Sequence, residues 1–375
     1  MKPENLKWRS IVWAFKLIFL VCLLGTGKQA MSQDQLASKI ANLPEFSIKQ
    51  NNGRQFSGLS ISNNGSEWLI AECTFEPDPD VGCFILKYNL IQDKLYRFAL
   101  PKGYQYQFAR YSTSGNWIVA TRNPVHSGKP EDAQKSFEQS EIVMFRPDGS
   151  EFKVLPIKGF NTSPAMSPSE KKIAFWTPKI LKMGSKTRTK SIDYDVYEFD
   201  LVTEKVNLFS GVINFVDGGK LQYLNEDQIL LSSFNTLDQF RANLPLDGNK
   251  LFILNRDVEK NYRQIIYENI TSTNHPSMDI NGFIYFSGDI KKKGSSFLQV
   301  KENTIIKSWV LPFIQLRSMV VSPTGSYIGF THDAAKMGSG NRSIEFGLLD
   351  INTNGWKNIA IPPLNTAELM PVTLK

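Results

Sequence analysis

Short apolar runs separated by turn-forming residues dominate the chain from Gly53 onward. The runs are four to eight residues long, rich in Ile, Val, Leu, Phe, Tyr and Trp, and bounded by clusters of Gly, Asn, Asp, Ser and Pro. This pattern is typical of β-strands joined by tight turns. No long segment has the periodicity of an amphipathic helix, although residues 31–44 favour one short helix. The sequence therefore predicts an all-β protein that follows a short lead-in, residues 31–52.

A strand–turn–strand segment recurs six times along the chain. Its clearest copy, residues 320–333, contains a Ser-Pro-Thr-Gly turn, and consecutive copies lie 50, 55, 57, 55 and 43 residues apart. Two further strands follow each copy, for example residues 84–90 and 95–100. Four strands in a repeat of this length predict a blade of a β-propeller, because each blade buries its faces against its neighbours. The equivalent positions of the six turns are Gly65, Gly115, Glu170, Asp227, Gly282 and Gly325.

The pattern Ser-Pro-x-Gly-x-x-Ile-x-Phe of residues 322–330, recognisable again at residues 167–175, resembles the WD40-like repeat of TolB-like six-bladed β-propellers. The resemblance covers residues 53–361 and implies six blades of four antiparallel strands each. Similar propellers serve as periplasmic scaffolds, as gating domains of prolyl oligopeptidases and, in wider relatives, as polysaccharide lyases, so the resemblance does not select a function. The implied blades are residues 53–100, 105–157, 159–210, 212–267, 270–311 and 313–361, followed by a C-terminal tail, residues 362–375.

Residues 1–30 have the composition of a secretory signal peptide. A basic segment reaches Arg9, an apolar run interrupted only by Lys16 covers residues 11–24, and Gly27 and Ala30 are small residues suited to a cleavage site. The alternative is an uncleaved segment, residues 11–27, that anchors the protein in a membrane. Both readings predict export, to the periplasm or out of the cell. Contact with a membrane is expected only through this N-terminal segment.

Most of the positive charge belongs to that leader. The formal net charge of the chain is +7, but residues 1–30 contain five basic residues and one acidic residue, so the remainder has a net charge of +3. A nearly balanced domain lacks the strong basic surface of a nucleic-acid-binding protein. Nucleic acid is therefore not expected as a partner.

Two cysteines remain after the leader, Cys73 and Cys83. In an exported protein such a pair is more often a disulfide than a metal site, and no histidine or third cysteine lies near them in the sequence. The two residues fall at the end of the second strand and the start of the third strand of the first blade. Neighbouring antiparallel strands bring such positions within reach, so a structural disulfide is predicted.

The serines of the repeated turn, including Ser112, Ser167 and Ser322, are interpreted as turn formers. A tight turn favours Ser, Pro and Gly for their backbone and capping properties, which explains their repetition without catalysis. The chain also lacks the Gly-x-Ser-x-Gly pattern of a hydrolase nucleophile. A serine hydrolase mechanism is therefore not expected.

If the repeated turn joins the first two strands on one face of the ring, the loops between strands two and three open on the opposite face. We call this opposite face the long-loop face and the first one the turn face. Long loops carried by a rigid scaffold commonly bind partners, and an envelope protein or a glycan is the expected partner here. The predicted long loops are residues 76–82, 123–140, 178–192, 235–249, 289–296 and 332–343.

Charges on the long-loop face are unevenly distributed. The third and fifth blades form a basic sector that suits an acidic partner, whereas the first blade contributes acidic residues; solvated loops are the alternative explanation for both. The residues concerned are Glu76, Asp78, Asp80, Lys179, Lys182, Lys186, Arg188, Lys190, Lys291, Lys292, Lys293 and Asp333.

The three histidines, His126, His275 and His332, also map to the long-loop face. Three imidazoles from different blades would suit a divalent metal, and the related lyases use histidine-held metal in a propeller funnel, although no fixed spacing supports convergence here. The leading hypothesis is a non-enzymatic binding or scaffold protein that needs no cofactor. The alternative is a metal-assisted lyase or hydrolase that acts on an anionic polysaccharide with these histidines as ligands.

Overall fold

The computed structural model describes residues 55–74, 82–126, 129–182, 189–211, 213–234, 236, 239, 248–256, 261–291, 293–311, 316–333 and 344–374. The predicted leader, residues 1–30, and the lead-in, residues 31–52, lie outside these ranges. Within them, no helix is both long enough and apolar enough to cross a membrane.

Among the described residues, six sheets form the six blades, and each contains four consecutive antiparallel strands. This arrangement confirms the predicted six-bladed β-propeller, including blades four and five, whose repeats are the weakest copies. Blades one to three contain β1 Gln55–Ile61, β2 Glu67–Thr74, β3 Gly82–Asn89, β4 Lys94–Ala99, β5 Tyr104–Tyr111, β6 Ile118–Pro124, β7 Glu141–Phe145, β8 Lys153–Val154, β9 Thr162–Met166, β10 Lys172–Lys182, β11 Thr189–Asp200 and β12 Val206–Leu208. Blades four to six contain β13 Leu221–Asn225, β14 Gln228–Ser233, β15 Lys250–Asn255, β16 Tyr262–Ile265, β17 Ile270–Met278, β18 Ile284–Ile290, β19 Gly294–Lys301, β20 Thr304–Val310, β21 Leu316–Val321, β22 Tyr327–Asp333, β23 Ile344–Asp350 and β24 Trp356–Ile359.

The first strand of every blade faces the axis of the ring. These six strands, β1, β5, β9, β13, β17 and β21, contact one another in sequence, and β21 returns to β1. Each blade then runs outward in strand order, so that its fourth strand lies at the rim. We call the channel that the six first strands surround the axial channel.

The hydrophobic core is divided among the six blade interfaces. Each of six apolar clusters combines residues from two adjacent blades, as where Trp176 of blade three packs with Phe215 and Phe252 of blade four. Burial of one such aromatic side chain contributes about 1.5–3 kcal/mol. Because no single centre exists, the stability of the ring depends on every interface being filled.

Side chains close the ring between blades six and one. Trp68 Nε1 donates to Tyr327 Oη at 3.0 Å, Tyr327 Oη donates to the Gly65 carbonyl at 2.7 Å, and Phe56 packs edge-on against Phe346 with ring centroids 4.8 Å apart. Among the described residues, blade six is complete from its own four consecutive strands. A closing strand at residues 46–50, which the sequence permits, lies outside the described ranges.

The C-terminal residues form a further strand at the rim of blade one. After a short 3-10 turn, Leu364–Thr366, β25 Glu368–Pro371 pairs in parallel with β4. The chain then crosses to blade two, where the Phe152 N–H donates to the Thr373 carbonyl at 2.9 Å and the Thr373 N–H donates to the Gly149 carbonyl at 3.0 Å. Gly149 leaves room for this passage, since an added Cβ would lie 2.1 Å from the Pro371 carbonyl oxygen. The tail thus links the outer edges of two blades.

Two predicted loops are shorter in the structure than the sequence indicated. Much of the predicted loop at residues 178–192 is strand, because β10 and β11 pair from Lys182↔Thr189 downward, with a bulge beside Pro178. Most of the predicted loop at residues 289–296 is also strand, because β18 continues to Ile290 and pairs there with Gly294 at the start of β19. Conversely, residues 123–140 contain a helix that the hydrophobic pattern did not predict, α1 Pro130–Glu138.

Candidate functional site

The turn face is built from one repeated hydrogen-bond pattern. The Ser112 carbonyl accepts the Gly115 N–H at 2.9 Å, the Ser112 N–H donates to the Trp117 carbonyl, and the Ser112 hydroxyl accepts the Trp117 N–H at 3.1 Å. Ser322 makes the same three bonds with Gly325 and Tyr327. These hydroxyl oxygens therefore have a local structural partner, which agrees with their interpretation as turn formers.

Adjacent turns are also bonded to each other. Asn63 Nδ2 donates to the Ser114 carbonyl, the Ser169 N–H donates to Glu226 Oε1 at 2.6 Å, and the Ile280 N–H donates to the Pro323 carbonyl at 2.8 Å. These contacts join blades one to two, three to four and five to six. Polar groups of the turn face are thus largely engaged within the ring.

The long-loop face carries α1, which is anchored to blade two. Pro130 lies at the start of the helix and Glu131 and Asp132 lie in its first turn, as expected for a helix N-terminus. Asn123 Nδ2 donates to Ser136 Oγ at 2.5 Å, and the Ser136 hydroxyl donates to the Pro124 carbonyl. These bonds fix the helix to the end of β6.

Aromatic packing completes this anchor. The ring of Phe137 stacks on Phe160, with centroids 5.4 Å apart, and the His126 ring lies 6.0 Å from Phe137. One side of α1 is therefore held by the scaffold, while Glu131, Lys135 and Glu138 are on its outer, more accessible side.

Several predicted charges of the long-loop face are visible and lie in different environments. Lys179 Nζ donates to Asp193 Oδ2 at 2.8 Å, and Asp333 binds Arg317 through two bonds of 2.8 Å. Lys291 and Lys293 are exposed beside the β18–β19 turn. Glu76, Asp78, Asp80, Lys186, Arg188 and Lys292 lie outside the described residues, as do the side chains of Lys182 and Lys190, which belong to β10 and β11.

The structure does not bring the three predicted histidines together. His332 is a buried residue of β22, not a loop residue; Nε2 lies 3.2 Å from Asn358 Oδ1 and 3.6 Å from Glu345 Oε2, and Nδ1 lies 3.2 Å from the Asp333 carbonyl. His275 lies on β17 at the axial channel, and His126 lies beside α1. Within the described part of the chain, no group of three or more His, Cys, Asp or Glu side chains is placed to hold a metal ion.

The predicted disulfide between Cys73 and Cys83 is confirmed. The two residues are direct partners in the register of β2 and β3, with Cα atoms 3.9 Å apart. Gln107 Nε2, from the first strand of blade two, lies 3.2 Å from Cys83 Sγ. The disulfide thus joins the end of β2 to the start of β3, next to the second blade.

Positively charged side chains cross the axial channel. Arg110 on β5 donates from Nη2 to Ser163 Oγ of blade three at 3.0 Å and from Nη1 to the Leu221 carbonyl of blade four at 2.5 Å. Lys220, next to Leu221, donates to the Met319 carbonyl of blade six at 3.3 Å. The two side chains therefore connect alternate blades across the ring.

Burial and the neighbouring charges shift the pKa values of these channel groups. Burial lowers the pKa of Arg110 to about 10, and burial together with the charge of Arg110 lowers the pKa of Lys220 well below its ordinary value. Burial and the charge of Lys220 lower the pKa of His275 to about 4, against a weaker opposing hydrogen bond to the Arg317 backbone. The histidine is consequently neutral at neutral pH.

A cavity of about 330 Å³ adjoins His275. His275 Nδ1 lies 3.0 Å from Ser287 Oγ in its wall, an arrangement that superficially suits a nucleophile and its base. A general base works best when its pKa is near the working pH, and a pKa of about 4 makes this imidazole a weak one. The pair is therefore better suited to holding the strained backbone of His275, whose φ is 55°.

Comparison with solved structures supports the fold. TolB from Acinetobacter baumannii superposes with a TM-score of 0.52 at 12% identity, covering 90% of this chain and 70% of that chain. The chain has a TolB-like six-bladed β-propeller fold. An oligogalacturonate lyase in complex with manganese gives a TM-score of 0.52 at 11% identity, covering 85% of this chain and 84% of that chain. The acylaminoacyl peptidase of Pyrococcus horikoshii gives 0.51 at 11% identity, covering 84% of this chain and 48% of that chain.

No protein-family model and no curated protein sequence matches the chain. Because the sequence identities to the solved structures are so low, the likeness establishes the fold of this TolB-like propeller and leaves its activity open.

Sequence reasoning missed Arg110 and Lys220, although a signal for them exists. The six first strands contain no Asp or Glu residue, whereas they include Arg110, His275 and Arg317, and Lys220 immediately precedes β13. An alignment of the six copies on their turns would have shown that the first strands contain basic residues and no acidic ones.

Proposed function

We propose that this chain is an exported cell-envelope protein that binds a protein or glycan partner through its long-loop face. The observation that carries the proposal is the difference between the two faces. Turn-face polar groups bond within the ring, whereas the long-loop face presents the anchored helix α1 and exposed lysines at the β18–β19 turn. Function commonly resides on such segments of a rigid scaffold. The disulfide between Cys73 and Cys83 supports export, since disulfides persist mainly outside the reducing cytosol.

We do not advance the metal-assisted lyase as a second function. Both ring nitrogens of His332 already have partners within the protein, and His275 Nδ1 lies against Ser287. A metal bound to His332 would have to displace its bonds to Asn358 and the Asp333 carbonyl in a buried position. The donor set therefore does not fit a shared ion held by the three histidines.

Site-specific photocrosslinking in the producing cell tests the binding proposal. A photoreactive amino acid at Glu131 or Lys135, both on the accessible side of α1, should crosslink to a defined envelope protein or glycan. The same amino acid at Thr113 or Asn281, exposed on the turn face, is the matched control and should give no specific product. Equal crosslinking from the two faces, or none from α1, would contradict the proposal.

A fractionation experiment tests export separately. The chain should be recovered from the periplasm or the medium, and Cys73 and Cys83 should resist alkylation until a reductant is added. Recovery of the protein from the cytosol with both thiols free would contradict export. The crosslinking experiment tests partner binding independently of this result.

A further inference from the structure

Arg110 and Lys220 keep hydrogen-bond donors that no described protein group uses. A guanidinium has five N–H donors and an ammonium has three, whereas Arg110 makes two hydrogen bonds to the protein and Lys220 makes one, which is long at 3.3 Å. Both side chains are half-buried in the axial channel. The remaining donors are therefore open to a ligand or to water.

Neither of these cations has a carboxylate partner among the residues that the structure describes. All three of their protein acceptors are neutral: two backbone carbonyls and the Ser163 hydroxyl. Elsewhere in the chain, half-buried arginines do have such partners, as where Arg256 binds Glu198 through two bonds of 2.7 Å. The axial pair differs in this respect from Arg256.

Two like charges in a poorly hydrated channel repel each other and lose hydration energy unless an opposite charge is present. The lowered pKa values of Arg110 and Lys220 express that cost. A simple structural role, bracing alternate blades, would be served as well by neutral donors. An anion near both groups would remove the repulsion and fill the free donors with charge-assisted hydrogen bonds.

A cavity lies beside His275 on the long-loop side of the axial channel. The cavity of about 330 Å³ is lined by His275 and by Asp289 and Ser295, which flank the β18–β19 turn of the long-loop face. His275 is also within electrostatic range of Lys220. The charges in the cavity wall are Arg317, which is paired with Asp333, and Asp289, which accepts the Ser295 hydroxyl at 2.9 Å.

We propose that the axial channel is an anion-binding site in which Arg110 and Lys220 hold one carboxylate or phosphate group. The site would be present whether or not the long-loop face binds a macromolecular partner. A free phosphate and a sugar that carries a carboxylate share the required chemistry.

Titration calorimetry on the purified full chain tests this site, with inorganic phosphate and D-galacturonate as separate probes at constant ionic strength. The wild-type protein should bind at least one of them with a stoichiometry near one. Lys220→Met removes the charge at similar side-chain length and should weaken that binding at least about tenfold, the loss expected for a charge-assisted hydrogen bond. Which probe binds distinguishes a phosphate source from a carboxylate source.

Lys307→Met is the matched control, because Lys307 Nζ also donates to a backbone carbonyl, that of Ile351 at 2.7 Å, but lies on a fourth strand outside the channel. This variant should bind the anion as the wild type does. If Lys220→Met does not fold, Arg110→Gln is measured instead. The proposal is overturned if neither anion binds the wild type, or if the channel variant binds as tightly as the control. Crosslinking from α1 should be unchanged in Lys220→Met. Failure of the anion-site proposal is therefore distinguishable from failure of the partner-binding proposal.

Discussion

On the turn face, Ser112 and Ser322 accept backbone N–H groups and adjacent turns bond to one another, whereas on the long-loop face Lys291 and Lys293 extend into solvent beside a hairpin turn. The first arrangement recurs from blade to blade because each turn must satisfy the same backbone groups. The second differs between blades, from the helix α1 to the long hairpin of β10 and β11. The comparison indicates that repetition marks the scaffold and that variation between blades marks the surface available for function.

The largest effect is expected from Asp279, which replaces serine in the turn of blade five. Its buried carboxylate accepts the Asn281 and Phe283 N–H groups at 2.9 and 3.0 Å and the Tyr285 hydroxyl at 3.1 Å. Asp279→Ala would leave these donors without a partner and should lower the free energy of unfolding by about 3 kcal/mol, measured by urea denaturation.

Asp350→Ala is the control for that measurement. Asp350 also accepts two backbone N–H groups, from Asn352 and Thr353, but it lies in a more exposed turn where water can replace the carboxylate. A loss of about 1 kcal/mol is expected there. Equal losses of unfolding free energy in the two variants would contradict the expectation that the buried carboxylate of Asp279 matters more than the more exposed one of Asp350.

The next effect is a dependence of stability on pH that originates in the axial channel. The pKa of His275 is about 4 in the folded protein, whereas the unfolded chain has the ordinary value near 6.5. The unfolded state therefore binds the proton more readily, and the stability present above pH 6.5 is lost as the pH falls toward 4. This linkage amounts to roughly 3 kcal/mol.

His275→Asn should remove most of that dependence, because asparagine tolerates a positive φ and does not titrate in this range. The measurement is the midpoint of thermal unfolding of both proteins between pH 4 and 7. Parallel curves for the variant and the wild type would contradict the assignment to His275.

Removal of the disulfide should lower the free energy of unfolding by a slightly smaller amount. The sequence separation between Cys73 and Cys83 is 10, and opening so short a loop costs about 2 to 3 kcal/mol at most. A Cys73→Ser, Cys83→Ser double variant should show this loss in denaturant, and reduction of the wild type should reproduce it. If reduction leaves the unfolding midpoint unchanged, the disulfide has no stabilising role.

The smallest effect on stability is expected at Lys179. Its bond to Asp193 is a largely exposed ion pair, and such pairs contribute about 0–1 kcal/mol. Lys179→Ala should therefore unfold as the wild type does, while crosslinking from α1 to an acidic partner should decrease if the third blade contributes to the interface. A large loss of stability would place Lys179 in the scaffold instead.

The repeated turn made the blades predictable. Its Ser, Pro and Gly residues are dictated by local backbone geometry, so six copies could be aligned even where Glu170 and Asp227 replace the glycine. The helix α1 was missed because its nine residues are too few for a clear periodicity, although Pro130 and the acidic residues after it are a usable signal. His332 was predicted to lie in a loop that begins at residue 332. Instead, β22 continues to Asp333, so His332 is a buried strand residue.

The sequence by itself therefore determined the local elements of this protein: the strands, the turns that join them, their sixfold repetition and the pairing of Cys73 with Cys83. Only the tertiary structure decided what occupies the axial channel. Arg110, Lys220 and His275 belong to three different blades, and nothing in their local sequence relates them. They become neighbours because closing the ring turns the first strand of every blade toward one axis, where residues far apart along the chain occupy the same small, poorly hydrated space.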